Sequence, residues 1–255
     1  MTDDLQLALL LSLTGLFTSA LSGVAGLGGG TILIGVFYAL GLAPVEAIPL
    51  FAAVQLVSNL TRTAAYVRHV EWRAAGWFLL AAIPATALLA PFAATVSVHV
   101  IQLILAALIA ISLLPDFFAG QSAGQTAKPL PPRLAFVAAG AANGALGMFV
   151  GATGLFVGRL FLRPEWPKQK VVATLALTQV FGHGLRVIAY GLVGFSALAK
   201  PQLLLPVCGS VIVGTLLGKQ LNGRLSEVAF RKLFQGILIV LTLKLAYDGL
   251  HGLWN

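Results

Sequence analysis

Charged side chains are scarce in this sequence: 16 Lys and Arg and eight Asp and Glu make up 9% of its 255 residues. A soluble domain carries roughly 25% charged residues, so the scarcity argues against an ordinary soluble protein. Hydrophobic residues supply 58% of the chain, and the mean hydropathy is +0.94. The composition therefore predicts an all-α polytopic membrane protein that has the lipid bilayer as its surroundings.

Several chemical features are absent as well. Cys208 is the single cysteine, so neither an internal disulfide nor a cysteine-based metal site is available. The apolar segments contain no H-E-x-x-H motif, no Ser/His/Asp set and no carboxylate pair, which argues against an enzyme. The net charge of +8 comes without a basic cluster among aromatic residues. We therefore expect no catalytic activity, no cofactor and no nucleic-acid partner.

Two glycine-rich runs interrupt the apolar chain. Residues 23–31 read G-V-A-G-L-G-G-G-T, and residues 144–154 read G-A-L-G-M-F-V-G-A-T-G. Each glycine inside a helix costs on the order of 1 kcal/mol relative to alanine, so a continuous membrane helix is disfavoured at both runs. Such breaks are tolerated in a membrane only where protein or a wet cavity surrounds them, and paired breaks point to a transporter's binding site. We expect broken or re-entrant helices at both.

The chain is predicted to hold two repeats. Residues 1–118 form the first transmembrane repeat, 119–132 form a linker rich in Gly, Pro and Gln, and 133–255 form the second repeat. A shift of 124 positions places Gln55 on Gln179 and aligns a shared Q-x6-R-x3-Y pattern. The apolar segments number about 8–10 in all, and several are shorter than the ~20 residues of a full crossing.

Basic residues fall at non-equivalent loops of the two halves. Arg68 and Arg73 follow the third segment of the first half, whereas Lys168 and Lys170 flank the second loop of the second half. Because basic loops are cytoplasmic, the halves are predicted to be inverted in the cell (inner) membrane, with both termini outside. Lys200, on a loop placed outside, opposes this scheme. If only one of the two helical segments beside each glycine break crosses the membrane, each half has four crossings and the repeats would be parallel.

A polar stripe recurs in the third segment of each half. The two stripes are Gln55, Asn59, Arg62 and Tyr66, and Gln179, His183, Arg186 and Tyr190. The spacing i, i+4, i+7, i+11 places each set on one face of a helix. This arrangement suits an anion. The amides can donate hydrogen bonds near mid-membrane, and one arginine lies on each side of them, towards the cytoplasm or towards the outside. Guanidinium groups bind oxyanions bidentately.

The candidate substrate-binding residues combine this stripe with the glycine runs, where broken helices would add N–H donors at the same depth. They are Gly28, Gly29, Gly30, Thr31, Gln55, Asn59, Arg62, Gly151, Thr153, Gly154, Gln179, His183 and Arg186. Arg62 could equally snorkel to the membrane interface, whereas the deeper Arg186 is favoured as functional. The glutamines could simply join helices, and His183 could be a packing residue or a proton carrier.

The run at 23–31, followed by P-V-E-A at 44–47 and R-H-V-E-W at 68–72, resembles the first half of the sulfite exporter TauE/SafE family of membrane permeases. The duplicated organisation extends the likeness to almost the whole chain. The family's glycine-rich run maps onto Gly26, Gly28, Gly29 and Gly30. This resemblance implies export, or in some members uptake, of small sulfur-containing anions such as sulfite and organosulfonates.

The sequence therefore predicts a secondary transporter of a small anion that works by alternating access, and the resemblance makes sulfur oxyanions and export the expectation. No ATP-binding motif is present, so the energy would come from an ion gradient, with the proton as the candidate coupling ion, or from the anion's own gradient. An anion channel, a transporter of another small organic anion and a sensor with a vestigial pore remain alternatives. A homodimer is left open.

Overall fold

The computed structural model describes residues 2–25, 28–92, 95–118, 131–161, 166–221 and 227–254. Within these ranges the chain forms ten α-helices and four short 3-10 helices, and it forms no strand. Most of the predicted linker, residues 119–130, lies outside the described residues, as does Gly26.

The α-helices are numbered in chain order. The first five are α1 (Thr2–Ala25), α2 (Gly29–Ala39), α3 (Pro44–Ala65), α4 (Trp72–Leu89) and α5 (Val98–Phe118). The other five are α6 (Pro132–Val150), α7 (Gly154–Gly158), α8 (Lys168–Leu192), α9 (Pro201–Leu221) and α10 (Glu227–Trp254). The 3-10 helices are Val67–His69, Ala90–Phe92, Arg159–Phe161 and Ala197–Ala199.

Six of these helices are long and apolar enough to cross a membrane: α1, α4, α6, α8, α9 and α10. Helix α2 and the stretch Val98–Leu113 of α5 are apolar but shorter. Large apolar side chains such as Leu88, Leu192 and Trp254 are exposed on the outside of the protein, as contact with lipid requires. The predicted class, an all-α polytopic membrane protein, is confirmed. The number of crossings stays a prediction.

The first predicted helix break is present. Helix α1 ends at Ala25, and α2 begins at Gly29. Gly28 between them has a φ of 86°, a left-handed conformation that glycine adopts without a steric penalty. Most of α2, including Leu33 and Phe37, is buried. This short helix is therefore enclosed by protein, which is the condition for a broken helix at membrane depth.

The second break is narrower than predicted. Helix α6 continues through Gly144 to Val150, and the interruption begins only at Gly151, where φ is 79°. The prediction that the helix breaks from Gly144 onward is wrong. Gly144 instead allows close packing, since an added Cβ would lie 2.7 Å from the carbonyl oxygen of Ala82 in α4.

Helices α3 and α8 pack against each other in opposite directions. Near the start of α8, Lys170 forms an ion pair of 2.8 Å with Glu71, which lies beyond the end of α3. Near the start of α3, Glu46 pairs at 2.8 Å with Lys200, which lies beyond the end of α8. Each helix therefore begins where the other ends, and their midpoints lie at the same level.

Most of the other long helices pack in an exchanged pattern, in which each helix lies against a helix of the other half. Helix α1 packs along α9, while α4 packs along α6, and α5 packs against α10. The first helix of each half thus lies against the fourth helix of the other half. This is the pattern that two inverted copies would produce. The two repeats stay a prediction.

The α1–α9 contact yields a stability prediction. A Cβ at Gly214 would collide with the carbonyl oxygen of Leu16, whereas Gly209 on the same helix faces open space. We expect Gly214→Ala to lower the free energy of unfolding by about 1–3 kcal/mol, the usual cost of overpacking. Gly209→Ala is the matched control and should be neutral or stabilising by up to about 1 kcal/mol. Thermal unfolding in detergent measures both, and equal midpoints would contradict the close approach.

The antiparallel pair yields a topology prediction. The exposed residues Ser196 and His69 lie beyond the ends of α8 and α3, on opposite sides of the pair. With basic loops inside, Ser196→Cys in a Cys208→Ser background should react with a membrane-impermeant maleimide in intact cells. His69→Cys should react only after permeabilisation. Reversed labelling would invert the orientation, and labelling of both in intact cells would place the two loops on one side.

Candidate functional site

A small cavity lies between the two helix breaks and the middle of α3 and α8. Its volume is about 40 Å³, which is room for about three water molecules. Ten predicted substrate-binding residues line it: Gly28, Gly30, Thr31, Gln55, Asn59, Arg62, Thr153, Gly154, Gln179 and His183. Ser22, Phe51, Ala152 and Leu175 complete the lining and were not predicted. Gly29, Gly151 and Arg186 are not part of it.

The start of α2 shapes one wall of the cavity. The backbone N–H of Gly29 donates to Ser22 Oγ at 3.0 Å, so this donor is already used by the protein. The N–H of Thr31 donates to the Gly28 carbonyl oxygen at 3.0 Å. Gly30 leaves the space beside it to Gln55, because a Cβ there would lie 3.2 Å from the Gln55 amide nitrogen. The glycines thus let the broken backbone approach the polar stripe of α3.

Three polar atoms of cavity-lining residues have no hydrogen-bond partner within the part of the chain that the structure describes. They are Arg62 Nε, Gln179 Nε2 and Thr31 Oγ1. An unpaired buried polar group costs about 1–3 kcal/mol, so a bound molecule or ordered water that pairs with these atoms would stabilise the site. The arginine and amide nitrogens can only donate, and the hydroxyl can donate too. A ligand that pairs with all three atoms could do so by supplying acceptors.

Arg62 belongs to this cavity. Its side chain is buried, with 6% exposed, although it lies in the last turn of α3. Such burial argues against an arginine that snorkels to the membrane interface. Arg62 Nη1 donates to Asn59 Oδ1 at 3.3 Å, and Asn59 Nδ2 donates to the carbonyl oxygen of Gln55 at 2.8 Å. These two bonds hold the guanidinium beside the cavity while its Nε–H is left unpaired.

Arg186 lies behind the cavity wall and is 1% exposed. Its Nη1 donates to the Gly151 carbonyl oxygen and to His183 Nδ1, both at 2.8 Å. Its Nη2 donates to Asn143 Oδ1 at 2.7 Å and to the Asn143 carbonyl oxygen at 3.3 Å. Protein acceptors therefore surround this guanidinium. Sequence analysis ranked Arg186 above Arg62 as an anion ligand, and the geometry favours the opposite order.

Asn143 is a site residue that sequence analysis missed. Besides accepting from Arg186, it donates from Nδ2 to Thr153 Oγ1 at 2.8 Å and to Gln179 Oε1 at 3.0 Å. The shift of 124 positions places it on Ser19, so the repeat did not single it out. The available signal was an amide in the middle of the apolar segment that became α6.

The geometry of His183 defines its protonation pattern. A guanidinium can only donate, so Nδ1 accepts from Arg186, and the proton of the neutral imidazole sits on Nε2. Phe51 packs edge-on against the imidazole, with ring centroids 5.5 Å apart. A second proton on Nδ1 would break the bond to Arg186 and place two cations in contact. This arrangement favours a neutral donor over a proton carrier.

A larger cavity of about 250 Å³ lies elsewhere, between the start of α3 and the α8–α9 connection. Its two charged residues, Glu46 and Lys200, pair with each other and leave no free charge for a ligand. Among the described residues, no group of three or more His, Cys, Asp or Glu could hold a metal ion. The small cavity is therefore the better candidate.

The fold and the cavity define a multi-pass α-helical membrane protein with a buried polar site in its interior. The family model for the sulfite exporter TauE/SafE matches residues 11–245, which is nearly the whole chain. The protein therefore belongs to the TauE/SafE family, as the sequence resemblance predicted. Proteins of this family are membrane transporters of sulfur anions such as sulfite, and are not enzymes. No curated protein and no solved structure matches the chain.

The contact between α8 and Asn143 gives a prediction for the site. A Cβ at Gly182 would collide with Asn143 Oδ1, whereas Gly184 faces open space. Gly182→Ala should push the carboxamide away from Arg186 and Gln179 and lower the free energy of unfolding by about 1–3 kcal/mol through the lost partners. Gly184→Ala is the matched control and should leave stability within about 0.5 kcal/mol of the wild type or raise it. Tryptophan fluorescence during thermal unfolding tests this, and an unchanged Gly182→Ala would refute the network.

Proposed function

We propose that the protein is an exporter of sulfite-sized sulfur oxyanions, which bind in the small cavity between α3 and α8. The observation that carries the proposal is the set of unpaired donors at Arg62, Gln179 and Thr31. An oxyanion supplies the acceptors that these atoms lack and the negative charge that Arg62 lacks. No acidic residue is among the described residues that line the cavity.

The size of the cavity supports a small anion. About 40 Å³ accommodates a group of a few heavy atoms, as in sulfite, better than a longer organosulfonate. We therefore place sulfite ahead of organosulfonates as the substrate.

Alternating access is the mechanism that the architecture supports best. The antiparallel α3 and α8 meet at the cavity, and the exchanged packing of the other helices fits two inverted halves that rock about a fixed central site. Arg62 lies on the approach that the charge pattern assigns to the cytoplasm. Sulfite would enter from that side and meet the guanidinium first.

The driving force need not include protons. A membrane that is negative inside favours outward movement of an anion by about 2.3 kcal/mol per charge per 100 mV. The orientation of the His183 ring also disfavours it as a proton carrier. We propose export driven by the membrane potential and by the gradient of the anion itself.

Transport by purified protein in liposomes tests the proposal. Uptake of radiolabelled sulfite should saturate, and Arg62→Gln should raise KM at least tenfold, because a hydrogen bond to a charged group contributes about 1.5–3 kcal/mol. Arg68→Gln is the matched control, since Arg68 is an exposed arginine just beyond the same end of α3. Its KM should stay within twofold of the wild type.

The same liposomes separate a transporter from a channel. Unlabelled sulfite inside should drive accumulation of labelled sulfite above the outside concentration, because a carrier exchanges its cargo whereas a channel only lets it equilibrate. Conductance without such counterflow would identify a channel. Flux of neither sulfite nor sulfoacetate would remove the assignment to sulfur anions, and equal KM values for the two arginine variants would remove Arg62 from the site.

A further inference from the structure

The side-chain amide of Asn143 supports two residues of the cavity wall, and its bond to Arg186 permits one orientation of the amide. Arg186 has five N–H groups and no acceptor, so Asn143 Oδ1, at 2.7 Å from Nη2, can only be the acceptor in this bond. The other end of the carboxamide, Nδ2, is therefore a donor. A carboxamide that turned over would point its NH₂ group at the guanidinium and leave two donors in contact.

The orientation of the Asn143 amide determines how two residues that line the cavity, Gln179 and Thr153, are oriented. Nδ2 donates to Gln179 Oε1 at 3.0 Å and to Thr153 Oγ1 at 2.8 Å. Gln179 Oε1 is thereby occupied, and the NH₂ group of this cavity-lining side chain is buried without a protein partner. Thr153 accepts through its oxygen, so its own O–H remains able to donate. Both side chains thus offer donors to a ligand.

A second branch runs through His183. Arg186 Nη1 donates to His183 Nδ1 at 2.8 Å, which places the ring proton on Nε2. His183 lines the cavity, so this side chain also has a donor to offer there. One guanidinium therefore determines the polarity of three lining residues although it does not line the cavity itself.

We infer that Arg186 is a positioning residue which, through Asn143, turns Gln179 and Thr153 so that the cavity wall presents donors and selects anions. This inference rests on the proposed function, because it concerns the same cavity. If the relay were reversed, Gln179 would present its carbonyl oxygen, an acceptor that repels an oxyanion. In the arrangement that we infer, Arg186 acts on selectivity through the direction of hydrogen bonds and not through contact with the substrate.

Replacement of Asn143 by aspartate tests the relay. Asn143→Asp keeps the shape of the side chain and gives Arg186 a carboxylate acceptor, but a carboxylate cannot donate. Gln179 must then turn its NH₂ group toward residue 143, and the Thr153 hydroxyl must donate in the same direction. We expect the Kd for sulfite, measured by calorimetry on the full-length protein in detergent, to rise at least tenfold.

A matched background separates the relay from simple charge repulsion. The Gln179→Met, Thr153→Val double variant lacks the amide and the hydroxyl that accept hydrogen bonds from Asn143, whereas Arg62 still binds the anion. The relay predicts that Asn143→Asp changes the Kd less than threefold in this background. A tenfold loss in both backgrounds would show repulsion by the new carboxylate and would overturn the inference. An unchanged Kd in the native background would overturn it as well.

Variants of Arg186 provide the same test if Asn143→Asp does not fold. Lysine is also only a donor, so Arg186→Lys should keep the Kd within about fivefold. Arg186→Met should raise the Kd at least tenfold in the native background and less than threefold in the double variant with His183→Phe added, which removes the His183 branch as well. Equal loss for Arg186→Met in both backgrounds would make Arg186 a direct ligand. A folded wild type that binds no sulfite would instead overturn the proposed function, which is a distinct result.

Discussion

The hydrogen bonding of the buried Arg186 guanidinium is the contact on which the rest of the site depends. A charge buried without partners inside a membrane protein costs several kcal/mol, and here protein acceptors surround it. These acceptors belong to Asn143 in the middle of α6, to Gly151 in the break that follows α6, and to His183 in α8. The Arg186 side chain thereby joins α6 and the break at Gly151 to α8, and it orients the amides around the cavity.

Arg62 and Arg186 correspond under the 124-position shift of the two predicted repeats, but they have different surroundings. Arg62 leaves Nε unpaired at the cavity, whereas the terminal nitrogens of Arg186 donate to protein acceptors behind the wall. In a transporter built from inverted repeats, the two halves adopt different conformations in any one state. An asymmetry between equivalent arginines is what a single state of such a cycle would show.

Glycine contributes to this architecture in two separate ways. Gly28 and Gly151 adopt positive φ and allow the helices to break beside the cavity. Gly144 and Gly214 stay within helices and let neighbouring backbones approach, as small residues do throughout membrane proteins. Sequence pattern alone did not separate the two uses, because both present as glycine in an apolar run. For that reason the second break was predicted to start too early.

Composition, glycine runs and helical spacing by themselves determined that the chain is an all-α membrane protein, and they named most of the cavity lining. These properties are local: periodicity defines which residues share a face of one helix. The TauE/SafE family was indicated by the resemblance of particular motifs and shown by the family model. Only the tertiary structure decided that Arg62 meets the cavity, that Arg186 lies behind it and that Asn143 connects Arg186 to Gln179 and Thr153. The contacts of Arg186 and Asn143 include hydrogen bonds between residues 35 to 43 positions apart, and the packing of separate helices sets such distances.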